Sequence, residues 1–271
     1  MRREPEKKIP PGSTPSGRPK KRLGQHFLKD PNIARIVAAG VTEDDVVLEV
    51  GPGRGFLTGF LAERARLVHA VELDPDVLSI LRSAALGNVV IHEGDALDFD
   101  YAALDPAPNK LVANLPYNIA SPLILKFLEE VEDISVLRFM VQLEVARRMV
   151  AGPGGKDYGI YAALVQLMTD VRVEHKVSPN VFDPPPRVWS AVVRMVRRET
   201  VLRSGEYEGV KRLVLAAFRS RRKRLVNNLP ESVRGEAPGV LISLGHGPDA
   251  RAEELAPEDF VSLYRAVSWA F

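Results

Sequence analysis

The sequence has no cysteine in its 271 residues, so disulfides, thiolate metal sites and a cysteine nucleophile are excluded. It also lacks any apolar run near the roughly 20 residues required to span a bilayer, and its basic, Pro-rich start has no apolar core of the secretory kind. These absences predict a cytoplasmic chain with no membrane partner. His69, His92, His175 and His246 show no close ligand spacing, so no metal is expected and they are read as structural or surface residues. No internal repeat is evident. No long exposed apolar helix face is evident either, which leaves a monomer as the expected state.

What is present is segregated charge. The net charge is only +2, but residues 1 to 22 carry eight Lys or Arg against Glu4 and Glu6, so the remainder is net −4. Residues 1 to 20, rich in Pro and charge and poor in apolar side chains, read as a flexible tail. Within the body, residues 187 to 224 carry twelve Lys or Arg against three Glu, and residues 225 to 271 are again acidic. A polyanion-binding face is expected at Lys211, Arg212, Arg219, Arg221, Arg222, Lys223 and Arg224, seven cations uninterrupted by any acid from 209 to 224. A solvated helix face is the plainer alternative.

Periodicity predicts an α/β fold. Asp30-Pro31 opens a capped helix that ends before Gly40. The apolar run Val46 to Val50 stops at Gly51-Pro52-Gly53-Arg54-Gly55, after which Leu57, Phe60 and Leu61 have helical spacing. Further strands are expected at 67–73, 88–92, 110–113 and 136–143, with helices between them at the spacing of a parallel sheet. Two more strands are read at 171–177 and 191–196. From 201 to 271 the pattern becomes short helical segments, so a sheet domain over 21–200 and a smaller all-helical domain over 201–271 are expected.

A strand that ends in a Gly-x-Gly-x-Gly turn lets a ligand approach the backbone at the sheet's carboxyl edge. The turn differs from the dinucleotide fingerprint, so a nicotinamide cofactor fits less well. Glu72 closes the second strand 21 residues after Gly51, where an acid accepts from ribose hydroxyls in nucleoside-binding folds. Asp95 follows the third strand and can accept from an adenine amino group. Singly, such acids are more often helix caps or surface residues. Three successive strands with a Gly turn or acid at one edge point to a nucleoside cofactor.

With an Asn-Pro-Tyr-type loop at Asn114-Leu115-Pro116-Tyr117, these residues resemble the Rossmann-like amino-methyltransferases that use S-adenosyl-L-methionine. The segments Leu23-Gly24-Gln25-His26-Phe27-Leu28, Asn114 to Asn118 and Phe182-Asp183-Pro184-Pro185-Pro186-Arg187-Val188-Trp189-Ser190 together resemble the small-subunit ribosomal RNA adenine dimethyltransferase family, over residues 20 to about 270. The resemblance implies that Gln25, His26 and Leu28 cover the cofactor, Gly51 and Gly53 flank its methionine part, Glu72 holds its ribose and Asp95 its adenine. It also implies that Asn114 faces the reacting centre. The implied reaction places two methyl groups on each of two adjacent adenosines in a hairpin loop near the 3′ end of small-subunit RNA, within the 30S particle or its precursor.

The residue types suit that chemistry. Adenine N6 is a poor nucleophile because its lone pair is delocalised, and two acceptors on its hydrogens, the Asn114 side-chain oxygen and the Leu115 carbonyl, would localise it. Asn is neutral and cannot be a general base. Tyr117 is expected to stack on the target base and Phe182 to cover its other face, although Phe182 could equally be a core aromatic beside a rigid Pro run. Two other readings remain: methylation of another planar amine, DNA adenine or a protein glutamine, and a non-catalytic factor in ribosome assembly or transcription that kept the fold.

Overall fold

The computed structural model describes Lys20, residues 24–199 and residues 202–267. The rest of the tail, Leu23 and residues 268–271 lie outside the described residues. After β1 (Phe27–Leu28), the Asp30 carboxylate accepts from the N–H groups of Asn32 and Ile33 and Pro31 fills the first turn of α1 (Pro31–Val37). The apolar run 46–50 forms β2 (Val46–Val50), buried throughout. There follow α2 (Phe56–Ala62), β3 (Leu67–Glu72), α3 (Pro75–Ser83), β4 (Val89–Glu93), β5 (Lys110–Asn114), α4 (Ala120–Glu130) and β6 (Val136–Gln142). Next come α5 (Leu143–Met149), α6 (Ile160–Met168), β7 (Thr169–Val177), β8 (Phe182–Asp183) and β9 (Ser190–Arg197). The last helices are α7 (Tyr207–Ala217), α8 (Glu231–Arg234), α9 (Ala237–Ser243) and α10 (Pro257–Val267).

The seven-stranded sheet runs β4-β3-β2-β5-β6-β9-β7, with β4 through β6 parallel and β9 antiparallel to β6. The chain is therefore α/β with a Rossmann-like sheet. The strand order reverses between β2 and β5, and a crevice opens beyond the carboxyl ends of strands at such a switch. Val50, Glu72, Glu93 and Asn114 all end their strands at that edge.

Polar bonds hold the opposite ends of β2 and β5 level. Asn109 accepts the Val46 N–H on its side-chain oxygen (2.9 Å) and donates its own N–H to the Val46 carbonyl (3.0 Å). Its amide nitrogen also donates to buried Asp45 (3.0 Å). Asp45 further accepts from Lys110 Nζ at 2.7 Å and from both the N–H and hydroxyl of Thr42. Burial alone would raise the Asp45 pKa, but the Lys110 ammonium and the N–H and O–H donors outweigh it and hold the carboxyl below its usual range.

The chain divides into two compact units, one holding the described residues up to Ala146 with Arg172–Val196, the other Arg147–Val171 with Arg197 onward. The expected boundary near residue 200 thus misses a segment. Residues 147–171 join the second unit because that unit supplies their hydrogen bonds. There the Tyr158 hydroxyl donates to the Leu255 carbonyl (2.8 Å) and the Gly154 N–H to the Glu253 carbonyl (2.6 Å). The unit's core gathers Tyr158, Phe218 and Phe260. At Gly209 on α7, an added Cβ would lie 2.3 Å from the Tyr264 ring of α10, so only glycine permits that approach. No helix among the described residues is long and apolar enough to cross a membrane.

Asp45→Ala removes one acceptor of the strand clamp, leaving Lys110 with the Gly40 carbonyl alone and the Asn109 side-chain nitrogen without its acceptor, so unfolding free energy should fall by about 2–4 kcal/mol in urea titrations at pH 7. Because its folded pKa is depressed, Asp45 stabilises the fold above its unfolded pKa, and that contribution is lost as pH falls through the folded value. The gap between wild type and variant should therefore close in acid. A constant gap across that range would disprove the clamp.

Candidate active site

A cavity of about 940 Å³ opens at the carboxyl edge of the sheet. Its floor is the glycine turn. Gly51 and Gly53 take positive φ, +66° and +55°, a region that side-chain-bearing residues rarely adopt. A Cβ at Gly51 would meet the Pro116 ring at 3.1 Å, and one at Gly53 would meet the Phe27 ring at 2.8 Å. The glycine turn is therefore packed directly against the Asn-Leu-Pro-Tyr loop on one side and the His26-Phe27 segment on the other. Of the residues expected at the site, Gln25, His26, Leu28, Gly51, Gly53, Glu72, Asp95 and Asn114 to Tyr117 all line this one cavity.

Glu72 is nearly buried and held by three backbone donors, the N–H groups of Gly53 (3.2 Å), Leu73 (3.0 Å) and Asp74 (2.9 Å). Burial still raises its pKa, with these donors opposing the shift. Asp95 accepts the Leu97 N–H on one carboxylate oxygen. The Tyr101 hydroxyl fixes the same loop by donating to the Ala96 carbonyl at 2.7 Å. Gln25, on the cavity wall, uses its amide to bridge the Lys20 N–H and the buried Asp74 carboxylate, which also pairs with Lys20 Nζ at 2.5 Å.

Asn114 donates from Nδ2 to the His26 carbonyl at 3.1 Å, and that bond fixes the amide's orientation. Its Oδ1 is buried with no hydrogen-bond partner, a state that costs free energy until a donor arrives. Leu115 is buried and anchored by its N–H to the Met140 carbonyl. The Tyr117 hydroxyl meets Ser190 Oγ at 2.6 Å, and its ring stacks on His26 at 5.6 Å between centroids. Burial, partly offset by Ser190, pushes the Tyr117 pKa up to about 12, so the phenol stays neutral.

Phe182 is a correction. It is fully buried, packed among Leu28, Val37, Leu61, Val112 and Val192, and is absent from the cavity wall. The pairing of β8 with β1, Leu28 opposite Phe182, turns its ring into the core, so it cannot cover a base. Glu49 is the residue that sequence reasoning passed over. It lies wholly buried beneath the turn, with Oε2 unpartnered. Burial pushes its pKa up to about 8, with Glu72 adding to the rise and Thr58 opposing it. The signal was an acid in the apolar run Val46-Val47-Leu48-Glu49-Val50.

The second unit carries the expected cations, which fall into two groups. Arg221 is committed to structure: it pairs with Glu253 at 2.5 Å and donates to the Lys156 carbonyl at 2.7 Å. Arg224 pairs with Asp249 and Lys211 lies 4.0 Å from Glu208. Arg212, Arg219, Arg222 and Lys223 are exposed and form no ion pair among the described residues. Because α7 ends at Ala217, Arg219 and the following cations stand on the turn beyond it. Among the histidines, His69 Nδ1 and His92 Nε2 come within 3.0 Å in space, and His69 Nε2 donates to the Pro106 carbonyl at 3.0 Å. They tie β3 to β4.

A family model described as ribosomal RNA adenine dimethylase matches residues 17–268. The chain is 70% identical over 259 residues to the ribosomal RNA small subunit methyltransferase A of Rubrobacter xylanophilus, spanning 95% of this chain and 97% of that protein. Among solved structures it resembles a dimethyladenosine transferase from Plasmodium falciparum, with a TM-score of 0.77, 27% identity and coverage of 89% of this chain and 96% of that one. It also resembles the 23S rRNA methyltransferase ErmE, with a TM-score of 0.70, 28% identity and coverage of 89% and 99%.

Glu49 generates a pH prediction. Its folded pKa lies above its ordinary value of 4.5, so the folded chain binds the proton more tightly than the unfolded one, and stability falls as pH rises from 4.5 through about 8. Glu49→Gln should flatten that fall and be more stable than wild type at pH 8.5 in thermal or urea unfolding. Parallel pH profiles for the two proteins would refute the assignment.

Proposed function

This chain belongs to the ribosomal RNA adenine dimethylase family, and we propose that its cavity dimethylates N6 of two adjacent adenosines in a hairpin loop near the 3′ end of small-subunit RNA. S-adenosyl-L-methionine, when bound, supplies an electrophilic methyl group on its sulfonium. The residues fit that cofactor: Glu72, with three backbone donors already in place, keeps acceptor capacity for ribose hydroxyls. Asp95 offers its second carboxylate oxygen to an adenine amine, and the backbone of Gly51 and Gly53, which lines the cavity, flanks the methionine part.

The observation that carries the reading is the buried, unpartnered Asn114 Oδ1. An N6 hydrogen satisfies it, the Leu115 carbonyl takes the second, and the nitrogen lone pair is aimed away from the ring plane. The oriented oxygen dipole stabilises positive charge as it develops on nitrogen. The chain needs no general base there. Asn114 has no basic form and Tyr117, held near 12, stays protonated, so the proton released after methyl transfer goes to water. Tyr117 positions the base by stacking, with His26 supporting the ring from behind. After one transfer a single N6 hydrogen remains, and the second transfer relies on one acceptor and the stack.

The second unit supplies phosphate contacts through Arg212, Arg219, Arg222 and Lys223. The small-subunit assignment draws on the 70% identical relative, since a fold of this kind also occurs in a 23S rRNA methyltransferase. The 30S particle or its precursor is the proposed substrate, with a place in subunit assembly, and the chain acts as a monomer in the cytoplasm.

Incubation with labelled S-adenosyl-L-methionine and under-methylated small subunits should yield N6,N6-dimethyladenosine; large-subunit RNA, DNA and protein should yield none. Absence of that nucleoside would overturn the reading. Asn114→Ala should lower kcat by at least about a hundredfold while leaving cofactor affinity within a factor of a few.

Neutralising Arg219, Arg222 and Lys223 together should weaken RNA binding and reduce the slope of log K against log salt by roughly 2–3. Arg221→Gln should instead cost stability through its lost Glu253 pair, with little change in slope. A salt slope unaltered by the triple substitution would remove these residues from the interface.

A further inference from the structure

Trp189 stands out among the described residues, because it is the one aromatic among the exposed large apolar side chains, at 52% exposure. Single exposed aliphatics are common and need no explanation. An indole left in water on a fixed backbone is different. The Trp189 carbonyl accepts the Leu143 N–H at 2.8 Å, which continues the β6–β9 ladder one step past the Gln142–Ser190 pair. Upstream, Pro184-Pro185-Pro186 restricts the chain. The backbone that carries the ring is thus set before any ligand arrives, and only two side-chain torsions remain to be ordered.

Its neighbours specify the ligand. Ser190, the next residue, holds the Tyr117 hydroxyl of the substrate loop at 2.6 Å. Arg187 is exposed and forms no ion pair among the described residues, and exposed Val188 lies between the two. A cation two positions along the chain from a bare aromatic face, on the segment that leads into the Ser190–Tyr117 bond, matches a nucleotide's phosphate and base. Ser190 is wholly buried against the Tyr117 hydroxyl while Trp189 is half exposed, so the two neighbours face different surroundings. A base on Trp189 is therefore a different one from the base that Tyr117 holds.

We infer that Trp189 is a stacking platform for a nucleotide flanking the target adenosine, with Arg187 contacting its phosphate. The inference rests on reading the cavity as an RNA adenine site. It also locates an aromatic contact in the same Pro-rich segment whose Phe182 is committed to the core.

The test uses the full chain carrying Trp269→Phe, in which Trp189 is the sole tryptophan. Titration with a small-subunit RNA fragment bearing the adenosine loop should quench Trp189 fluorescence. Trp189→Ala should weaken binding of that RNA by about 5- to 100-fold and Trp189→Phe should restore most of it. The salt slope and S-adenosyl-L-methionine affinity should stay at wild-type values, which separates stacking from charge loss and from misfolding. RNA affinity unchanged by Trp189→Ala would overturn the proposal. So would a loss seen only with assembled subunits and not with naked RNA, because the contact would then be protein. Methyl transfer is read separately: failure of the unsubstituted chain to form dimethyladenosine would sink the catalytic reading, while the RNA affinities decide the stacking contact.

Discussion

The hydrogen bonds that Asn109 and Asp45 make across the amino ends of β2 and β5 fix the height of two strands on which the site depends. A parallel pair has no hairpin to set its register, and a slip of one residue would exchange the faces of every side chain. With the near ends level, the far ends are level too, so the glycine turn after β2 and the Asn-Leu-Pro-Tyr loop after β5 emerge side by side. Gly51 then accepts the Pro116 ring where any larger residue would collide. The glycine turn and the Asn-Leu-Pro-Tyr loop, the proposed donor and acceptor sides, are thus joined by one packing contact, and in that proposal the geometry of transfer follows from strand register.

The site carries unfavourable features that its surroundings must offset. Glu49 is buried with an orphaned oxygen, Glu72 is desolvated, and Asn114 Oδ1 lacks a partner. Each would be relieved by water or by a smaller, apolar residue. They persist because the flanking strands are buried and satisfied, which lets the edge remain under-satisfied and ready for donors. The same logic explains the neutral Tyr117. A phenol sealed against Ser190 loses acid–base capacity and becomes a fixed surface, which is what positioning requires.

Much of this was legible in the residues. The alternation of strands and helices, the glycine turn, Glu72, Asp95 and the Asn114 loop all lie in short, local patterns, and the structure gathers them around one cavity. What escaped depends on distant partners. Phe182 reads as a loop aromatic until β8 pairs with β1 and turns it inward. Arg221 looks identical to Arg222 in a run of cations, yet Glu253 and the Lys156 carbonyl claim it from 32 and 65 positions away. Residues 147–171 read as part of the sheet domain because nothing local reveals that Leu255 and Glu253 complete their hydrogen bonds.

These corrections change the view of how the chain meets RNA. The run of exposed cations after α7 and the proposed stacking residues lie in different units and answer different questions. The exposed cations after α7 respond to any phosphate backbone, are screened by salt, and fix no register on the bases. Trp189 and Tyr117 belong to the sheet unit and neither depends on charge: the Tyr117 ring is held by its hydroxyl bond to Ser190, and the Trp189 backbone by its bond to Leu143. Aromatic faces accept every base, so neither ring distinguishes adenine. Under the proposed function, selection falls to the orphaned Asn114 Oδ1, which an exocyclic amine satisfies and a carbonyl edge repels. Guanine and uracil present carbonyls where adenine presents N6, so in that reading the unmet hydrogen bond disfavours both, whereas cytosine, with its N4 amine, has to be excluded by the size and shape of the base.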